Sequence, residues 1–285
     1  MKRNIEILVL SDVHLGSYGC RANLLIDYLR SITPEVIVLN GDFFDIWQFK
    51  KSYFPIEHAQ IIQKMIKFAA HGTKIYYLTG NHDDALRNYA DFNTGMFHLR
   101  NQLELQLDGK RYWFFHGDVF DSSINFAPFI ARLGAVGYDW LIWLNRTINK
   151  IRARFGHEPL SFSQKIKSNV KKSVGDFERK AIDLAAKKGF DYVVCGHVHK
   201  AKIEEFDTPN GKVTYLNSGD WVESLTALEY SHGEWTIHKH EDFDYNIVSP
   251  RLTLSKNVIM EILDAVPNHN KIVQDAVVNV DKKEP

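Results

Sequence analysis

Val36-Ile37-Val38-Leu39-Asn40-Gly41-Asp42-Phe43-Phe44-Asp45 reads as a buried strand running into a turn. Four apolar residues in succession, mostly β-branched, suit a strand covered on both faces. Gly41 permits a tight turn, and Asp42 then projects from the strand's carboxyl end. Four other stretches repeat the arrangement. Ile7-Leu8-Val9-Leu10 leads into Ser11-Asp12-Val13-His14, and Ile75-Tyr76-Tyr77-Leu78 into Gly80-Asn81-His82-Asp83. Tyr112-Trp113-Phe114-Phe115 leads into His116-Gly117-Asp118, and Tyr192-Val193-Val194-Cys195 into Gly196-His197-Val198-His199. Ligands of open α/β sheets sit outside the carboxyl ends of the strands. Five such ends together would bring oxygen and imidazole groups to one place.

Outward from these turns, residues 5–45 read as a βαβ unit. Its helix, from about Ala22 to Ile32, has Leu24, Leu25, Tyr28, Leu29 and Ile32 on one face. A second helix is expected over 55–72, between Pro55 and Gly72, with a buried stripe of Ile56, Ala59, Ile62, Met65, Ile66 and Ala69. Strands at 102–107 and 111–116 meet at Asp108-Gly109, a hairpin signal. Further strands are expected at 74–79, 202–206, 212–217, 225–230 and 234–240, and a short helix near 258–266.

The chain has 285 residues, 45% hydrophobic and 25% charged, the make-up of an ordinary globular protein with a large core. No apolar run approaches the ~20 residues of a membrane span. Met1-Lys2-Arg3-Asn4 passes straight into a strand, without the apolar segment of a secretory signal. Cys20 and Cys195 are the only cysteines, so no disulfide framework is indicated. These features predict a cytoplasmic protein. The formal net charge is zero, and no nucleic-acid partner is expected.

The charge is unevenly spread. Between Phe126 and Lys172 there are nine Lys or Arg residues and two acidic ones, a net charge of plus seven. This segment, about 121–175, lacks the strand–turn rhythm and reads as a helical insertion. Phe129, Trp140 and Trp143 lie in an apolar face wider than one neighbour requires. Arg146, Arg152 and Arg154 follow. A helix from about Ser163 to Lys188 carries Lys167 and Lys171. One reading is an αα-hairpin with a solvated basic face. The other is a cap that receives an amphiphilic, anionic molecule. The organisation expected is a core of 1–120 and 176–245, the cap at 121–175, and a C-terminal extension at 246–285.

An Asp after a strand is commonly a turn former, and a buried His commonly a satisfied core residue. Their conjunction is the informative feature. Asp12 and His14 stand two apart, as do His197 and His199, so each pair would point one way on an extended backbone. Seven ligands (Asp12, His14, Asp42, Asn81, His116, His197 and His199) suit two metal ions sharing one bridge. Carboxylate, amide oxygen and imidazole together favour Mn²⁺, Fe or Zn²⁺ over Ca²⁺. Two ions ~3.5–4 Å apart are the standard solution for hydrolysing phosphate esters.

These five turns, in this order, resemble the signatures of the calcineurin-like metallophosphoesterases. The resemblance implies an α/β fold of two packed mixed β-sheets flanked by helices. It implies a first metal held by Asp12, His14, Asp42 and His199. Asp42 would bridge to a second metal completed by Asn81, His116 and His197. His82 would be no ligand but a hydrogen-bond or proton donor to the phosphoryl group or leaving oxygen, oriented by Asp83.

Within that family the chain is similar to the bacterial enzymes that cleave UDP-2,3-diacylglucosamine in lipid A synthesis. The similarity includes Gly41-Asp42-Phe43-Phe44-Asp45, the basic and aromatic cap, and Gly219-Asp220-Trp221-Val222-Glu223-Ser224. It implies Mn²⁺ as cofactor and a nucleotide-sugar lipid as substrate. The Trp140 and Trp143 side of the cap would receive acyl chains, while Arg146, Arg152, Arg154, Lys167 and Lys171 would pair with phosphate. Arg87, just after the Asn81 turn, would contact phosphate or sugar, and a surface helix explains it equally well. The cap's composition would also suit peripheral contact with the inner membrane surface. His82 stands where the best-known branch has Arg. A metallophosphoesterase acting on another phosphodiester, nucleotide or phospholipid is therefore a second reading. A non-catalytic scaffold is a third, from which lost ligands would be expected; all seven are present.

Overall fold

The computed structural model describes residues 2–48, 53–123 and 164–240, with the backbone alone at 121–123 and 164–173. The expected cap residues Trp140, Trp143, Arg146, Arg152 and Arg154 lie outside the described residues, as does the helix expected near 258–266. Lys167 and Lys171 lie where only the backbone is described.

The chain begins β1 (Arg3–Leu10), α1 (Ala22–Arg30), β2 (Ile32–Asn40), α2 (Ile56–Ala70) and β3 (Lys74–Leu78). Then come β4 (Asn93–Thr94), β5 (Phe97–Arg100), β6 (Leu103–Leu107) and β7 (Lys110–Phe114). After α3 (Gln164–Lys187) follow β8 (Tyr192–Cys195), β9 (Lys202–Thr208), β10 (Gly211–Asn217), β11 (Thr226–Ser231) and β12 (Glu234–Lys239). These strands form two mixed sheets. One has seven strands in the order β12-β11-β1-β2-β3-β5-β4, and the other five in the order β6-β7-β8-β10-β9. Neighbouring β1, β2 and β3 are parallel, and so are β7, β8 and β10. Parallel strands end on the same side, which gathers their following turns.

Three apolar cores account for the layering. Leu25, Leu29, Ile61, Met65 and Phe68 of α1 and α2 pack with Leu8, Leu10, Ile37 and Leu39 on the outer face of the larger sheet. Phe177, Ala181, Ile182, Ala185 and Ala186 of α3, spaced as one helical face, pack with Trp113, Val193 and Tyr215 of the smaller sheet. Between the sheets lie Ile7, Val9, Val38, Leu78, Phe114, Val194, Leu216 and Leu228. The central strands are thus apolar on both faces because each face meets a different layer. At about 1.5–3 kcal/mol for each large apolar side chain buried, this inner layer is what holds the sheets together.

Most expected elements are present, including the Asp108-Gly109 hairpin that pairs β6 with β7. The α2 stripe differs. His58, Ile61, Met65 and Phe68 are buried, whereas Ile66 is 65% exposed. The sequence offers two apolar stripes on this helix. The one carrying Phe68 packs inward, and His58 on it accepts a hydrogen bond from the Gly16 N–H (3.0 Å). β4 and β5 were not anticipated; β5 is short and extends the sheet beyond β3. Among the described residues, no helix is long and apolar enough to cross a membrane.

Candidate metal centre

The five turns converge where the parallel strands of both sheets end. Asp12, Asp42 and Asn81 follow β1, β2 and β3, and His116, His197 and His199 follow β7 and β8. Backbone bonds lace the turns together. Asp12 N donates to Gly41 O (3.2 Å), His14 N to Asp42 O (3.0 Å), and Gly196 N to His116 O (3.0 Å).

Three groups of ligand atoms come within 4.8 Å of one another among the described residues: Asp12, His14 and His199; Asp42, His116 and His197; and His14, Asp45 and His82. The first two draw on six of the seven expected ligands, with Asp42 in the second only. The convergence arises differently from the extended backbone expected. Asp12, His14, Asp42, His197 and His199 all have left-handed backbones, with φ between 52° and 66°. Each is a non-glycine residue in a costly conformation; the bonds above hold Asp12, His14 and Asp42, His197 N donates to Asp12 Oδ2 (3.0 Å), and such strain collects at functional sites.

Glycines make room for this approach. A Cβ on Gly80 would stand 2.2 Å from Asp42 Oδ1, and one on Gly41 would stand 2.3 Å from His116 Nδ1. Asp42 is further fixed by His82 N, which donates to its Oδ1 (2.8 Å).

The imidazoles are backed in a regular way. His116 Nδ1 donates to Asn40 O (2.9 Å), leaving Nε2 facing Asp42 Oδ2 at 3.2 Å. His14 Nδ1 lies 3.4 Å from Asp45 Oδ2, and its Nε2 is buried with no hydrogen-bond partner. His199 Nε2 lies 3.2 Å from Asp12 Oδ1. A metal-ligating His characteristically gives one nitrogen to the metal and the other to such a partner.

Divalent metal fits these residues on two grounds. Asp12 Oδ1, His14 Nε2, Asn81 Oδ1 and His116 Nε2 are buried without a hydrogen-bond partner. Buried polar atoms are rarely left so unless something else satisfies them. The electrostatics agree. Burial works to raise the Asp12 and Asp42 carboxyls, but the surrounding imidazoles hold both well below the usual carboxylate range. Burial likewise lowers His116 and His199, yet the carboxylates outweigh it. They push His116 well up and His199 up to about 9. The pocket keeps buried negative charge that attracts positive charge from any source, and a divalent cation supplies it.

His82 adjoins both clusters. Its ring meets His14 edge-on with centroids 4.6 Å apart, and Trp47, half exposed, lies over it at 4.7 Å. Its Nδ1 lies 3.1 Å from Asp45 Oδ1, an ion-pair approach without hydrogen-bond geometry, where Asp83 was expected. Asp83 is instead fully buried and accepts hydrogen bonds from Gly80 N (2.6 Å), Phe43 N (3.1 Å) and the Tyr77 hydroxyl (2.5 Å). It staples two metal-bearing turns together. Asp45 combines turn formation with ring support, because its Oδ1 also accepts from Gln48 N (2.9 Å).

Arg87, expected at the substrate, donates to Gly80 O (3.2 Å) and pairs with Asp118. It ties the Asn81 turn to the His116 turn. A residue the sequence reading left without a role is Asp220, whose Oδ2 lies 4.0 Å from His199 Nδ1. The signal was present: Ser218-Gly219-Asp220 follows a strand just as Gly41-Asp42 does.

The sequence profile of the calcineurin-like phosphoesterases matches residues 5–201. The UDP-2,3-diacylglucosamine hydrolase of Aliivibrio fischeri strain MJ11 is 25% identical, over 83% of this chain and 99% of the relative. That of Aeromonas salmonicida strain A449 is 27% identical, over 82% of this chain and 93% of the relative. Among solved structures, an archaeal phosphodiesterase aligns with 82% of this chain and 98% of its own, at 15% identity and a TM-score of 0.41. With its turns, its ligand clusters and this match together, the chain belongs to the calcineurin-like phosphoesterase family as a metal-dependent hydrolase.

Proposed function

We propose that the protein hydrolyses the pyrophosphate bond of UDP-2,3-diacylglucosamine, giving UMP and 2,3-diacylglucosamine 1-phosphate, with two divalent cations, Mn²⁺ above all. The observation carrying this reading is the pair of facing clusters, Asp12/His14/His199 and Asp42/His116/His197, at the joined strand ends. Relatives named for that substrate, aligned along nearly their whole length, support the choice of substrate.

Asp12, His14, Asp42 and His199 hold one cation, and Asp42, Asn81, His116 and His197 the other. When bound, the pair supplies Lewis acidity toward phosphoryl oxygens and lowers the pKa of water. The protein's own residues do the rest. Asp45 faces His82 Nδ1 by charge at 3.1 Å, leaving Nε2 to hydrogen bond to a phosphoryl or leaving oxygen. Burial opposes protonation of His82, but Asp45 and Asp42 outweigh it and raise its pKa, so it is kept as a donor. Arg146, Arg152, Arg154, Lys167 and Lys171 bind phosphate, and the Trp140 and Trp143 side of the cap takes the acyl chains. Arg87, already paired with Asp118, holds the rim of the site. The same cap suits peripheral contact with an anionic membrane surface from the cytoplasmic side.

Purified protein with Mn²⁺ and the UDP-linked diacyl sugar tests the reading: UMP is expected, and its absence rejects it. His82, in the position of the branch's Arg, favours a second reading, a phosphodiesterase of other substrates. Turnover of simple aryl phosphodiesters, with none of the lipid, would select that one.

A further inference from the structure

β10 runs parallel to β8, with Leu216 opposite Val194 and Asn217 opposite Cys195. The turn after β10 therefore arrives at the same end of the sheet as His197 and His199. It is a sixth strand end with the same Gly-Asp pattern, and it lies beyond the residues matched by the family profile. We infer that Asp220 is a positioning residue for His199, holding that ring so that Nε2 faces the first cation.

The two carboxylate oxygens have different tasks. Oδ1 accepts the backbone N–H groups of Val222 (2.8 Å), Glu223 (2.5 Å) and Ser224 (3.2 Å). That is the work of a turn former, and it locks the carboxylate plane. Oδ2 is left over. It accepts the Ser224 hydroxyl (2.7 Å) and faces His199 Nδ1 at 4.0 Å. At that separation it acts on the ring by charge, favouring the proton at Nδ1 and leaving Nε2 to ligate. The carboxylate is 1% exposed, which keeps water from screening it.

The loop is anchored to the metal turns independently of this contact. Trp221 N donates to Asp12 O (3.1 Å), Ser11 Oγ to Gly219 O (2.9 Å), and Asn217 Nδ2 to Gly196 O (2.8 Å). Asp220 completes a set. His14 is backed by Asp45, His116 by the Asn40 carbonyl, and His199 by Asp220. His199 needs the support most, because its side chain is 41% exposed on a left-handed backbone.

The inference rests on the dinuclear reading above, and Asp220→Asn tests it. Three N–H donors fix Oδ1 as the oxygen, so the amide NH₂ takes the place of Oδ2. The charge that favours a proton at Nδ1, and so a free Nε2, is then lost. Mn²⁺ binding isotherms of the purified protein are expected to show one of two ions weakened about 10–100-fold and the other unchanged. Thermal unfolding of the metal-free variant should match wild type, and Ser224→Ala, which keeps the charge, should bind Mn²⁺ normally. Asp220→Asn and His199→Ala should be non-additive in Mn²⁺ affinity. Wild-type affinity for both ions in Asp220→Asn overturns the inference. So does early unfolding of the metal-free variant with both sites weakened alike, which would make the role structural. Absence of Mn²⁺ binding by wild type would overturn the dinuclear reading and this inference with it.

Discussion

Asp45 Oδ1 stands 3.1 Å from His82 Nδ1, and its other oxygen faces the metal-ligand candidate His14 at 3.4 Å. One buried carboxylate thus orients both a proposed proton donor and a proposed ligand. Burial would raise its pKa, but the two imidazoles and the Gln48 N–H hold it low, so it stays ionised. Asp45→Asn is expected to lower kcat about 10–100-fold. His82→Ala should cost about 10²–10⁴-fold, the usual range for a lost acid–base group. Steady-state release of UMP, or aryl phosphodiester turnover, measures both.

Asp42 belongs to one ligand cluster and carries the proposed bridge to the other. Its loss removes several kcal/mol of charge stabilisation, so Asp42→Ala should reduce turnover by about 10³-fold or more. Metal analysis of the purified variant should find less bound cation than in wild type. Unchanged turnover with unchanged metal content would refute the bridging role.

Gly80 permits the Asp42 approach by having no side chain. A methyl group there meets Asp42 Oδ1 at 2.2 Å and Asp42 N at 2.6 Å. Gly80→Ala is expected to destabilise the metal-free protein by about 1–3 kcal/mol in urea and to weaken Mn²⁺ binding. Gly175→Ala is the control. Its Cβ meets nothing within 4 Å, and as a helical position it should be neutral or stabilising by up to about 1 kcal/mol.

His58 gives a pH signature away from the metal ligands. Burial pulls its pKa down to about 4, with Glu57 opposing weakly, and its Nδ1 accepts from Gly16 N. The folded value lies below the unfolded one, near 6.5. The unfolded chain therefore takes up a proton that the native ring refuses. This contribution is present in full above about pH 6.5 and is lost as pH falls toward 4, by up to about 3 kcal/mol. His58→Gln removes that component. Wild-type minus variant stability, from urea unfolding across pH 4–8, should fall over that window; a flat difference would refute the assignment.

Some of this was legible because it is local. Strand–turn punctuation named the seven ligand candidates, and Asp108-Gly109 gave the hairpin. The α2 face was not, because Ile66 and Phe68 are equally apolar in sequence and only their neighbours decide which is buried. Nor was the partner of His82. Asp83 is adjacent in sequence, but its carboxylate turns to Gly80, Phe43 and Tyr77, and Asp45 reaches the ring from another strand end.

The order of residues settles which side chains end the parallel strands, and hence the kind of chemistry available: carboxylate, amide and imidazole at turns that a parallel sheet must gather on one side. How those groups are aimed comes from the packing of one turn against another. Left-handed backbones at Asp12, His14, Asp42 and His197 are held by bonds between different turns. The partners that face the rings come from two strand ends, Asn40 and Asp45 from that of β2 and Asp220 from that of β10. Residue spacing encodes a face or a turn; it does not encode which turn of another strand will lie against it.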